Sequence, residues 1–189
     1  MKFSFKEVQP DEALSELLKT LRFLVVTEVA QYKIESDVSL FNYPFDEEQK
    51  YRAFFDAFSD YASPKWTSRV DGNWDFSKVP FRRSTEKMDG IYKILRTGGA
   101  QSETYNVSEA LTIEETLRIS FQKGAESLLI FAVPRYKLSS DKADTGYTVD
   151  MGNLGEISSF FEQLAWDELI FIINQKYKTL YVVACTDTD

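Results

Sequence analysis

Apolar positions along this chain fall into two rhythms. Leu14, Leu17, Leu18 and Leu21 recur at i, i+3, i+4 and i+7, which places them on one face of an α-helix. Pro10 and Asp11 stand just ahead of them, as helix-opening residues do, so a helix is predicted over 11–22. Phe23 to Ile34 is β-branched, with Val25, Val26, Val29 and Ile34, and fits either a strand or a continuation of that helix. A second helix is predicted from Asp46, where Asp46 and Gln49 have capping-box spacing. Tyr51, Phe54, Phe55, Phe58 and Tyr61 then form an aromatic stripe at helical spacing, which reads as a core face, and Pro64 is expected to end the helix.

The second rhythm is β. Ile91 to Arg96 alternates like a strand. Residues 97–108 read as turn or loop. Thr112 and Glu115 mark a helix start, Leu117 and Phe121 continue its apolar face, and Gly124 fits its end. Ser127 to Val133 is an apolar run stopped by Pro134, hence a buried strand. Residues 136–154 are polar and contain glycine, as exposed loops do. Ile157, Phe160, Phe161 and Leu164 predict a short helix. Leu169 to Ile173 and Thr179 to Cys185 are apolar runs rich in Ile, Val and Tyr, joined by a polar link of hairpin length, so strands 168–174 and 179–185 are expected to pair antiparallel. The whole predicts a single α+β domain over 1–189 with a mainly antiparallel sheet, a C-terminal β-hairpin and several packed helices.

Composition narrows the chemistry. The chain has 189 residues, no histidine and one cysteine, Cys185. Ser-His-Asp and Cys-His catalysis need an imidazole to take the nucleophile's proton. Zinc sites draw on Cys and His in sets that one cysteine cannot fill. No phosphate-cradling glycine motif is present; Gly98-Gly99 reads as a turn. No cofactor, metal or covalent nucleophile is therefore expected. Carboxylates remain available, and a glycosidase needs two of them, so a carboxylate-dependent enzyme stays open as an alternative. Asp141, Asp144 and Asp150 fall in one polar stretch. Aligned as a calcium loop from Asp141, the ligand positions fall on Ala143, Thr145 and Gly152, so the pattern fails where ligands matter. Cys185 lies inside a predicted strand and reads as buried packing.

Charge then indicates the partner. Thirty acidic residues against 22 basic ones leave a formal net charge of -8. Such a balance opposes binding to nucleic acid and attracts basic proteins. Arg82-Arg83 is the only adjacent basic pair. No run approaches a membrane-spanning length, the start Met1–Glu7 has no secretory pattern, and a lone cysteine suits a reducing compartment. A cytoplasmic protein with no membrane or nucleic-acid partner is expected. The partner-binding candidates are Asp141, Asp144 and Asp150 in the 136–154 stretch, Asp187 and Asp189 at the C-terminal tip, and Trp66 and Trp74 in the irregular 62–90 region. Loops and termini are where binding residues concentrate. The two tryptophans either anchor that region to the core or line a recognition surface.

The runs Trp166-Asp167-Glu168-Leu169-Ile170-Phe171-Ile172-Ile173-Asn174 and Thr179-Leu180-Tyr181-Val182-Val183-Ala184-Cys185 resemble the C-terminal hairpins of the small acidic immunity proteins that bacteria make against secreted toxins. The similarity covers the last quarter of the chain and carries over no residue role. It implies a non-enzymatic cytoplasmic protein that neutralises a cognate toxin by direct binding. The alternative of the same kind is a phage-type inhibitor that mimics nucleic-acid charge.

Overall fold

The computed structural model describes residues 3–36, 47–79, 88–97, 104–126, 128–132, 136–138, 147–149, 152–161 and 167–186. Its centre is a five-stranded antiparallel sheet, consistent with the α+β expectation. The strands are β1 (Phe3–Val8), β2 (Val26–Ser36), β3 (Leu129–Ala132), β6 (Glu168–Asn174) and β7 (Thr179–Thr186). Their order across the sheet is β1-β2-β7-β6-β3. The helices are α1 (Glu12–Leu21), α2 (Glu47–Arg69), α3 (Asp89–Thr97), α4 (Val107–Gln122) and α5 (Gly152–Ile157), and β4 (Tyr136–Leu138) pairs with β5 (Tyr147–Val149) outside the main sheet. Among the described residues no helix is long and apolar enough to cross a membrane.

The C-terminal hairpin is the middle of the sheet, with Ile172 opposite Tyr181 and Phe171 opposite Val182. Helices cover both of its faces, so both strands are buried throughout and read as continuous apolar runs rather than as alternation. Leu180, Val182 and Ala184 face α2 and α5, while Tyr181, Val183 and Cys185 face α1, α3 and α4. The α2 side is aromatic. Phe55 meets Phe131 and Phe171 edge-on at 5.4 and 5.0 Å, and Phe54 meets Phe3 and Phe5 at 5.2 Å each. Such edge-to-face pairs add about 0.5–1.5 kcal/mol each beyond area burial.

Several sequence expectations need correction. Ile91–Arg96 is not a strand but most of α3. Ile91, Ile94 and Leu95 are buried while Tyr92 and Lys93 are half-buried, a 3.6-residue period that six residues of alternation mimic. This helix lies close on the sheet because of Gly90, where a Cβ would stand 2.9 Å from Ile170 Cδ1 and 3.0 Å from Glu168 Oε2. Pro64 does not end α2, which runs on to Arg69. Its missing N–H falls on the exposed side, where water can meet the freed carbonyl, while Trp66 is fully buried on the other side; that burial offsets a helix-interior proline cost of about 3 kcal/mol. The cap of α4 is Asn106 rather than Thr112. Asn106 and Glu109 form a reciprocal capping box, whereas the Thr112 hydroxyl donates back to the Ser108 carbonyl at 2.9 Å. α5 stops at Ile157 because the Ser158 hydroxyl takes the Phe160 amide at 3.1 Å, so Phe160 and Phe161 follow a helix rather than form one. The 136–154 stretch holds β4, β5 and the start of α5 rather than loop alone. The Phe23–Ile34 ambiguity resolves as a turn and then β2, and β1 adds an edge strand at the start of the sheet. The Asp46 cap lies outside the described residues.

Candidate functional site

The five acidic candidates Asp141, Asp144, Asp150, Asp187 and Asp189 lie outside the described residues. Trp66 and Trp74 lie inside the fold, 0% and 4% exposed, with ring centroids 4.6 Å apart. Trp66 Nε1 donates to Tyr32 Oη at 2.7 Å. Burial pushes the Tyr32 phenol up to about 12, against the opposing pull of that N–H. The Arg69 guanidinium lies 4.9 Å from the Trp66 ring centroid. Trp74 pins the segment after α2 by bridging Ser158 and packing on Phe160 and Phe161. Neither indole faces solvent: Trp66 packs on Trp74 and Phe76 and bonds to Tyr32, and Trp74 packs between Trp66 and the segment after α5.

The ionisable groups of the interior hold structural partners. Asp11 caps α1 and accepts from Tyr181 Oη at 2.8 Å and Lys123 Nζ at 2.6 Å, tying α1, β7 and the end of α4 to one carboxylate. Burial alone would raise its pKa, yet the bonds from Lys123, Tyr181 and the Leu14 amide outweigh burial and hold the carboxyl below its ordinary value. Asp167 accepts from the Thr186 hydroxyl at 2.7 Å. Glu168 accepts from Lys93 Nζ at 3.0 Å, and buried Glu114 accepts from the Met88 amide at 2.9 Å. Cys185 is fully buried, and that burial drives its thiol up to about 12, where it is a poor nucleophile. Among the described residues, no three Cys, Asp or Glu side chains converge to hold a metal ion.

The unpartnered charge lies outside. Asp56 and Asp60 are exposed one helical turn apart on the solvent face of α2, opposite the aromatic stripe, and Asp71 is exposed just past its end. None has an ion-pair partner among the described residues. Sequence reasoning passed over Asp56 and Asp60, although the stripe that identified the buried face of α2 also fixed their place on the other.

The described surface also has a cleft of about 610 Å³ where β1 ends. β1 pairs with β2 only as far as Val8 opposite Gln31, and the chain then turns away, with the Asp11 amide donating to Gln31 Oε1 at 2.7 Å. Glu7, Val8, Pro10, Val29 and Arg69 are among the residues that wall the cleft. Glu7 and Arg69 form an ion pair across it, and the Tyr61 hydroxyl accepts from the Glu7 amide at 3.1 Å. No protein-family model, curated protein or solved structure matches this chain.

Proposed function

We propose that this protein works by binding a basic protein partner, and that its role is that of an immunity protein, which neutralises a bacterial toxin by direct contact in the cytoplasm without catalysis. The observation that carries the reading is the partition of charge. Interior ionisable groups are taken up in holding the fold, and the surplus that makes the net charge -8 includes exposed carboxylates such as Asp56 and Asp60, one turn apart on the solvent face of α2, and Asp71 just past its end. An acidic rim of this kind steers a basic partner and raises its association rate. The resemblance of the C-terminal hairpin to immunity proteins gives the partner its class. Toxins that degrade nucleic acid carry cationic surfaces where they grip phosphate, and a carboxylate-bearing inhibitor complements such a surface. The test is neutralisation in cells. Expression of the gene adjoining this one should arrest growth, and co-expression of this protein should restore it. An adjoining product that is harmless, or equally toxic in its presence, would overturn the immunity role.

A further inference from the structure

We infer that the open edge of β2 over Val26–Ala30 is a docking site for an extended segment of a protein partner, which adds there as a short β-strand. The inference rests on the reading that the protein acts by binding a protein, and it names where and how. β1 covers β2 only from Gln31 to Ser36, while β7 lines the other side of β2 from Val26 to Lys33. The first five residues of β2 thus have a strand on one side only. Backbone direction along the strand is fixed at two points. The Ile34 amide donates to the Lys178 carbonyl, on the β7 side. The Glu7 amide, opposite Tyr32, points away from β2 to Tyr61. Alternation then turns the amides and carbonyls of Thr27 and Val29 toward the open edge, and none of these four groups has a partner among the described residues.

An unpaired strand edge is a template for another strand, and the natural occupant is an extended polypeptide whose own amides complete the ladder. Five residues at about 3.3 Å each give a seat of about 16 Å. Exposure agrees with an open seat: Val26 is 36% exposed and Thr27, Glu28 and Val29 are half-buried, unlike any residue of β6 or β7. The seat runs into the cleft at the end of β1, and the walls specify the occupant's side chains. On the side facing α1 they are Val8, Pro10 and Val29, with Lys6 and Gln31 beside them, a wall that suits an apolar residue and disfavours a basic one. On the side facing α2 the groups are Glu7, Glu28 and Arg69. Arg69 is already held by Glu7, and Glu28 has no partner among the described residues, so a basic residue is favoured there. The partner segment is therefore extended, with apolar and basic residues in alternation.

Selection of ten-residue peptides displayed on phage against the full chain tests the site directly. Enriched peptides should alternate apolar and basic residues and bind Val29→Pro at least tenfold more weakly. That substitution removes one outward N–H and leaves the ladder to β7, which uses the alternate residues, in place. Should Val29→Pro fail to fold, the same selected peptide N-methylated at every second residue should lose at least tenfold against the unaltered protein. Bound peptide should also slow amide exchange at Thr27 and Val29 at least tenfold, with Glu28 and Ala30 changed far less. Failure to enrich any peptide, equal binding after both changes, or protection elsewhere would overturn the site. Dimerisation that Val29→Pro abolishes would overturn the partner assignment in favour of a second copy. Harmlessness of the adjoining gene's product would sink the immunity reading and leave these results standing.

Discussion

Removing the Asp11 carboxylate should unlock three elements at once. Asp11→Ala deletes the cap of α1, which costs about 1 kcal/mol. It also strips the buried Tyr181 and the Lys123 ammonium of their shared acceptor. A hydrogen bond to a charged group contributes about 1.5–3 kcal/mol. Lys123 is 40% exposed on its side chain and regains water, so its share is discounted and the total loss is about 2–4 kcal/mol at neutral pH. Asp11→Asn keeps the cap, since Asn caps as well as Asp, and should lose about 1–2 kcal/mol. At about 2–4 °C per kcal/mol for a chain of this size, both shifts are measurable by thermal melting, with urea titration as the check.

The pH dependence separates the two contributions. Because the folded-state pKa of Asp11 lies below its ordinary 3.8, the ionised group binds fewer protons in the folded state than in the unfolded one. Its stabilisation is present above the ordinary value and is lost as pH falls through the lower folded-state value. Asp11→Asn should therefore trail the natural protein at pH 7 and converge with it under acid, while Asp11→Ala keeps a residual deficit from the missing cap. A gap for Asp11→Asn that stays constant into strong acid would refute the assignment of Asp11 as the charged pin.

The two buried tryptophans should respond differently to loss of their N–H. Trp66→Phe leaves the Tyr32 hydroxyl buried without its donor and should cost about 1–3 kcal/mol more in urea denaturation than Trp74→Phe, since Trp74 Nε1 has no partner to lose among the described residues; equal losses would contradict this. Cys185 should resist a thiol reagent in the native protein and react once at full rate in denaturant, and prompt native labelling would contradict its placement in β7. Reversing the charge of Asp56, Asp60 and Asp71 together should slow association with the partner most at low salt, with the same direction expected for Asp141, Asp144 and Asp150; rates unchanged in both variants would shift the contact away from these carboxylates.

What was legible in the sequence was whatever packing confirms within one element. Leu14, Leu17 and Leu21 all face the core, and so do Tyr51, Phe54, Phe55 and Phe58, because a wide apolar stripe has one place to go. The C-terminal hairpin was legible because its strands are buried on both faces. What failed was short or decided from outside. Six residues of α3 carry both periods, and only the sheet beneath Gly90 selects the helix. Thr112 and Asn106 both offer a capping pattern, and the chain's exit from α3 decides between them, with Tyr105 donating its amide back to Leu95. Pro64 is tolerated because Trp66 holds the next turn in place. The open edge of β2 had no signal in its own residues, since it exists only because β1 ends early.

The claim that this protein binds a basic partner through an acidic surface is tested most directly by association kinetics. Stopped-flow mixing with the purified product of the adjoining gene, from about 0.01 M to about 1 M salt, spans screening lengths from roughly 30 to 3 Å. The account predicts a complex whose association rate falls steeply across that range while its dissociation rate changes little. No complex, or an association rate indifferent to salt, would contradict it.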